Sequence, residues 1–209
     1  IVGATGAGKS TLVNLVCRFF EPTSGQILID GVDYRERSYL WLQSNLSYVL
    51  QTPHLFSGSI LDNIRYADPS ASMEDVIDAA KQAQAHSFIE KLPEGYNTEV
   101  GQGGDKLSTG QKQLVSIARA ILAKGKILVM DEATSSVDTQ TEQMINGMTD
   151  RLLRGRTSFI IAHRLSTVRN SNAILVLEQG KVVERGDHDD LLAQKGKYYQ
   201  LYTNMIELS

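Results

Sequence analysis

With 209 residues, 42% of them hydrophobic and 22% charged, the chain has the balance of a folded globular protein with room for one large core or two small ones. Its net charge of −3 argues against wholesale nucleic-acid binding, and its single cysteine excludes an intrachain disulfide framework. No apolar run in the chain approaches the ~20 residues needed to cross a bilayer.

The chain opens on Ile1-Val2-Gly3, read as the end of an apolar strand running directly into a glycine loop. A buried parallel strand normally takes about five or six residues, so the chain is expected to be a fragment whose upstream part completes this strand. Residues 10–20 predict a helix with Leu12, Leu15, Val16 and Phe19 on one face. Cys17 falls inside this apolar pattern and is expected to be a buried structural thiol. Residues 25–30 alternate as a strand turned by Gly31, and residues 46–50 form a short strand ending at Gln51 and Pro53. From 54 to about 106, the helix patterns SILDNIRY, SMEDVIDAAKQAQA and HSFIEKL, broken by Asp68-Pro69 and Pro93-Glu94-Gly95, predict a helical insertion. Alternation then resumes. A helix starting at Ser108 precedes strand KILVMDE, a helix over 139–153, strand TSFIIA, a short helix near Leu165 and strand AILVLE. Gln179-Gly180 turns into KVVERG, and two short helices follow. Strands spaced by helices imply a mainly parallel sheet covered on both faces.

Gly3-Ala4-Thr5-Gly6-Ala7-Gly8-Lys9-Ser10 fits G-x-x-x-x-G-K-[ST], the P-loop, at a strand–helix junction as its mechanism requires. Its glycines let backbone N–H groups wrap phosphates, Lys9 offers a point charge to the β- and γ-phosphates, and the Ser10 hydroxyl reaches Mg²⁺. Thr11 is a further expected phosphate contact. Four apolar residues, Ile127 to Met130, lead into Asp131-Glu132. A buried strand ending in two acids is costly unless a cation sits there, which assigns Asp131 to Mg²⁺. Glu132, pointing elsewhere, suits the general base for an attacking water; the plainer reading is a helix cap. Gln51 follows a strand and suits the metal and the water, though a lone Gln there is usually loop filler. His163 follows TSFIIA at the sheet edge where ligands gather, and is a candidate γ-phosphate contact. Asp138, in Ser135-Ser136-Val137-Asp138, reads locally as a capping acid. Ser108 and Gly110 open a second helix whose first turn is suited to an anion.

In this order the motifs resemble the nucleotide-binding domain of ABC transporters: Walker A at 3–10, Q-loop Gln51, signature LSTGQ at 107–111, Walker B at 127–132, D-loop at 135–138 and H-loop His163. EPTSGQILIDG, PHLFSGSILDNIRY and KLPEGYNTEVGQGG are similar to the exporter branch, whose domains are usually fused to a membrane-spanning half. The resemblance covers essentially the whole chain. It implies an α/β P-loop NTPase fold with a RecA-like, mainly parallel sheet and an inserted helical subdomain, the N-terminal β part lying upstream. The expected division is 1–53 for the first part of the core, 54–118 for the helical subdomain with the signature, and 119–209 for the rest of the core. It further implies ATP and Mg²⁺ as ligands, with Ser10, Gln51 and Asp131 at the metal and Glu132, His163, Gln51 and Lys9 catalytic. A head-to-tail dimer with an identical or homologous domain would place Ser108, Thr109, Gly110, Gln111 and Asp138 on the partner's nucleotide. The expected location is the cytoplasmic face of a membrane, with no nucleic-acid partner.

Three departures from the family pattern bear on those expectations. Thr109 stands where the signature usually has glycine, and a position needing positive φ would disfavour a β-branched residue. Gln102 stands where the preceding loop often carries an acid, in an element resembling the sensor of the membrane domain. The aromatic residue that stacks on adenine in the family is expected upstream of residue 1. The leading expectation is an ATP-hydrolysing exporter motor. A hydrolysis-poor ATP-binding module and a soluble, non-transport ABC ATPase are the alternatives, and retained Glu132 and His163 count against the first of these.

Overall fold

Helices and strands alternate through a computed structural model, which describes residues 1–131, 149, 152–162 and 165–207. In chain order they are α1 (Lys9–Val16), β1 (Leu28–Ile29), β2 (Val32–Asp33), α2 (Tyr39–Ser44), β3 (Leu46–Val49), α3 (Ile60–Arg65), α4 (Met73–Gln82), α5 (His86–Ile89), α6 (Thr109–Leu122), β4 (Ile127–Asp131), β5 (Thr157–Ile161), α7 (Leu165–Arg169), β6 (Ile174–Glu178), β7 (Lys181–Gly186), α8 (His188–Gln194) and α9 (Lys197–Glu207). The helix expected over 139–153 lies, apart from Thr149, Leu152 and Leu153, outside the described residues. Contacts gather into two units, residues 1–37 with 159–209, and residues 38–158.

In the first unit, Ile1 and Val2 act as a strand despite their brevity. Ile1 donates to the Ile160 carbonyl at 2.7 Å, and its own carbonyl accepts from Ala162 N–H at 3.1 Å. Val2 exchanges N–H and C=O with Leu175 and Leu177 on the other side, at 3.0 and 2.9 Å, in parallel with Val176. Val2 then shares a core with Ala162, Val168, Ile174, Val176, Leu191 and Tyr198. β6 returns antiparallel as β7, with a register shift between Val176 and Leu177. The segment expected as one strand over 25–30 is instead half of a small antiparallel pair, Leu28 opposite Asp33 and Ile29 opposite Val32.

The first helix stops at Val16, four residues before its apolar pattern ends. Arg18 takes a left-handed φ of 57°, its N–H donates to Leu15 O, and Phe19 N–H reaches back to Asn14 O, a Schellman termination. The Arg18 guanidinium holds this turn by bonding the carbonyls of Tyr34 and Arg37, both at 3.2 Å, and Glu21 at 2.8 Å.

The second unit is built on α6 and on β3 paired parallel to β4, Leu46 opposite Ile127 through Val49 opposite Met130. α6 packs on α3, α4 and β3 and is buried around most of its circumference, Leu114, Val115, Ile117 and Leu122 included. Burial of each such side chain contributes about 2 kcal/mol. The insertion's helices start sharply because α3, α4 and α6 each carry a capping box, Ser59 with Asp62, Ser72 with Asp75 and Ser108 with Gln111. The serine bonds hold the Asp62 and Asp75 carboxyls below their usual range. Arg119, on α6, ties this helix to α3 and to the segment before it. Its guanidinium donates to Asn63 O at 2.8 Å, Asn63 Oδ1 at 2.9 Å and His54 O at 3.2 Å, and lies over the stacked rings of Phe56 and Tyr66.

Cys17 is fully buried, and burial pushes its thiol from 9.0 up to about 12. A folded-state value raised above the unfolded one gives stability that is present below pH 9 and lost as pH rises toward 12. Tyr96 and Tyr198, raised by burial from 10.0 to about 12, add the same sign above pH 10. Urea unfolding is therefore expected to show stability declining from pH 9 upward, with Cys17→Ala flattening the part between pH 9 and 10. An unchanged profile in that variant would show that Cys17 contributes nothing to it.

Candidate functional site: a phosphate loop and two strand ends

The turn from Val2 into α1 is made by Gly3 to Gly8. Gly6 and Gly8 have φ of 81° and 101°, and Gly8 caps α1 through its backbone alone, without a side-chain bond. Ala7 N–H closes the loop on Ala4 O at 3.1 Å. The Lys9 ammonium lies across the loop's first residues, donating to Gly3 O at 2.7 Å and Ala4 O at 2.9 Å. The N–H groups of Ser10 and Thr11 stand in the first turn of α1, where no intrahelical acceptor exists, and both side chains are exposed. Left-handed glycines, orphan N–H groups and an ammonium at one helix start fit a polyphosphate anion. The residues predicted for phosphate contact, Gly3, Ala4, Thr5, Gly6, Ala7, Gly8, Lys9, Ser10 and Thr11, are thus together in one loop.

A cleft of about 400 Å³ opens on the outer side of this loop, between Ala4 to Ala7 and the end of β6. Lys197 and Gln200 of α9 form its far wall, and Lys197 pairs with Glu178 at 2.9 Å. Lys9 and Ser10 are not in its lining. The β6–β7 turn also meets the loop directly, Gly180 N–H donating to Ala7 O at 2.9 Å. Sequence reasoning identified Gln179-Gly180 as a turn and missed this contact, which spans more than 170 positions and leaves no local signal.

At the second helix start, Ser108 Oγ accepts from Gln111 N–H at 3.2 Å, and Gln111 Oε1 accepts from Ser108 N–H at 3.0 Å. The hydroxyl proton of Ser108 can still be donated, because a serine accepts and donates at once. Thr109 is the first helical residue and is absent from the left-handed region, so its β-branch costs nothing of the kind expected for a glycine position. Gly110 is buried in the first turn, and its N–H, like that of Thr109, has no intrahelical acceptor.

Within the second unit, Gln51 and Asp131 come to the same edge. β3 and β4 run parallel with Val49 opposite Met130, so Asp131 at the end of β4 and exposed Gln51, two residues past β3, share the C-terminal end of this pair. Among the described residues no group of three or more His, Cys, Asp or Glu side chains is placed to hold a metal ion. The pair of Gln51 and Asp131 presents an amide and a carboxylate oxygen, hard donors of the kind Mg²⁺ takes. Glu132, Asp138 and His163 lie outside the described residues.

A G-x-x-x-x-G-K-[ST] loop joining a buried parallel strand to a helix, in an α/β chain, defines a P-loop nucleotide-binding fold. Residues 1–135 match the family model described as ABC transporter, and the chain belongs to that family. It is 52% identical over 206 residues to an uncharacterized ABC transporter ATP-binding protein, YfiC, of Bacillus subtilis (strain 168), covering 99% of this chain and 34% of that protein. It is 49% identical to an ATP-dependent lipid A-core flippase of Syntrophus aciditrophicus (strain SB), over 96% of this chain and 33% of the flippase. A bacterial Atm1-family ABC exporter solved with ATP bound superimposes with a TM-score of 0.89 at 46% identity, over 97% of this chain and 35% of that one. The chain therefore spans about a third of the length of these relatives. The Atm1-family protein is an exporter, the type expected from the motifs.

The capping box gives the second helix start a measurable energy. Ser108→Ala is expected to lower unfolding stability by about 1 kcal/mol in a denaturant titration. A variant as stable as the parent would show that the Ser108–Gln111 pair does not hold the helix start.

Proposed function

We propose that this chain is the ATP-hydrolysing motor domain of an ABC exporter, working as a head-to-tail dimer with ATP held between the Walker A loop of one domain and the signature helix of the other. The observation that carries the reading is the phosphate loop, with left-handed Gly6 and Gly8 and the Lys9 ammonium at the start of α1, in a chain of the ABC transporter family. A nucleotide brought by a second domain would give the α6 start behind Ser108 a ligand of the same kind. ATP then joins two domains, and hydrolysis separates them.

In this reading the amides of Thr5 to Thr11 cradle the phosphates, and Lys9 neutralises the β- and γ-oxygens. Ser10, Gln51 and Asp131 hold Mg²⁺, which supplies charge neutralisation at the transferring phosphoryl group. Glu132 takes a proton from the attacking water. Gln51 and His163 keep that water and the γ-phosphate aligned for in-line attack. From the partner's side, Ser108, Thr109, Gly110 and Gln111 donate to the γ-phosphate, and Asp138 links the two sites. The divisions at 53/54 and 118/119 would separate the core from the signature-bearing helices. The partners are a second such domain, identical or homologous, and a membrane-spanning domain carried upstream on the same polypeptide, which places the chain on the cytoplasmic face of a membrane. No helix among the described residues is long and apolar enough to cross a membrane itself.

Lys9→Ala is expected to weaken ATP binding by at least about tenfold in calorimetry, and parental affinity in that variant would remove Lys9 from the phosphate site. Glu132→Gln is expected to bind ATP normally while phosphate release drops by about 10² to 10⁴, the range assigned to general-base catalysis. In the same variant, light scattering with Mg-ATP is expected to show a dimer that Ser108→Arg abolishes. A monomer at saturating ATP would exclude the self-paired dimer.

A further inference from the structure

The β6–β7 hairpin approaches the phosphate loop mainly through backbone, at three points. Gly180 N–H donates to the Ala7 carbonyl at 2.9 Å. A Cβ built on Gly8 would stand 3.2 Å from Gly180 Cα, and one built on Gly3 would clash with the Leu177 carbonyl oxygen. Neither the loop nor the hairpin can yield at these points by rotating a side chain. Among the described residues no peptide bond is cis. In a trans peptide the carbonyl of one residue and the N–H of the next point in opposite directions. Tying the Ala7 carbonyl to Gly180 therefore forces the Gly8 N–H to face away from the hairpin, at the point where the loop enters α1. We propose that Gly180 is a positioning residue for the nucleotide loop. The Gln179–Gly180 turn sets the orientation of the Ala7–Gly8 peptide and so aims a phosphate-binding N–H. This proposal rests on the nucleotide reading of the loop.

The turn's geometry makes the assignment testable. Gln179 and Gly180 have φ of 50° and 76°, the left-handed pair that a two-residue hairpin turn requires. The same unit holds a second turn of this kind, Asp30–Gly31 between β1 and β2, with φ of 52° and 77°. A Cβ at either Gly31 or Gly180 meets nothing within 4 Å. Valine at the two sites therefore imposes the same local strain, but only at Gly180 does the strained residue also hold the loop.

The experiment compares Gly180→Val with Gly31→Val in the 209-residue chain, reading hydrogen exchange of residues 3–10 and ATP affinity by calorimetry. Gly180→Val is expected to speed exchange in the loop and weaken ATP binding about tenfold, while Gly31→Val leaves both within about twofold. Gly180→Asn, which tolerates the left-handed region and keeps the N–H, is expected to recover most of both. Equal effects from the two valines would overturn the proposal, because hairpin stability alone would then explain them. If Gly180→Val does not fold, Gly180→Ala against Gly31→Ala makes the same comparison at lower strain. A parent carrying its upstream segment that binds no ATP, but whose loop loosens only with Gly180→Val, would refute the nucleotide reading and leave the positioning role standing.

Discussion

Everything at the phosphate loop depends on two residues of strand. Ile1 and Val2 bond the backbone at Ile160 and Ala162 on one side and at Leu175 and Leu177 on the other, so the chain enters the loop from a fixed position and direction. A two-residue strand on its own would fray. It is held because it is bonded on both sides and Val2, itself 5% exposed, shares a core with Ala162, Ile174 and Val176. The left-handed glycines then turn the chain by a defined path into α1. Those bonds anchor the loop at its entry, and anchored N–H groups can receive an anion without first being ordered around it.

The other helix start rests on a different kind of support. α6 is clamped by packing along its length and by Arg119 at its far end, with the guanidinium spread over three carbonyl oxygens and two aromatic rings. Desolvation lowers the Arg119 pKa, yet an arginine starts so high that it stays charged throughout the physiological range. The capping box at Ser108 fixes the opposite end. Helix position is thus set by packing, and the rotation of its first turn by two side-chain bonds.

Much of this was legible in the sequence because its signals are local. The glycine loop, the Ser108 cap, the apolar strand ending in Asp131 and the Gln179-Gly180 turn each announce themselves within ten residues, and each was found where expected. What failed to show was determined partly by local turns and partly by partners distant in the chain. Residues 25–30 alternate like a sheet strand, but Asp30 and Gly31 turn the chain early and pair it with Val32 and Asp33. The apolar pattern of the first helix continues to Phe20, while Arg18 ends the helix because carbonyls at 34 and 37 capture its guanidinium. Thr109 looked costly on the assumption of a left-handed backbone, and the helix begins there with ordinary geometry. The meeting of Gly180 with Ala7 had no sequence signature at all.

The placement of Lys9 has a thermodynamic consequence for any anion entering the loop. Its ammonium is already bonded to two carbonyl oxygens of that same loop, Gly3 and Ala4. An incoming phosphate must draw the ammonium from those acceptors or share it with them, so the loop contains its own internal competitor. Affinity then reflects an exchange of partners for a charge that is never left bare, and the enthalpy of binding is smaller than a count of new phosphate contacts would give.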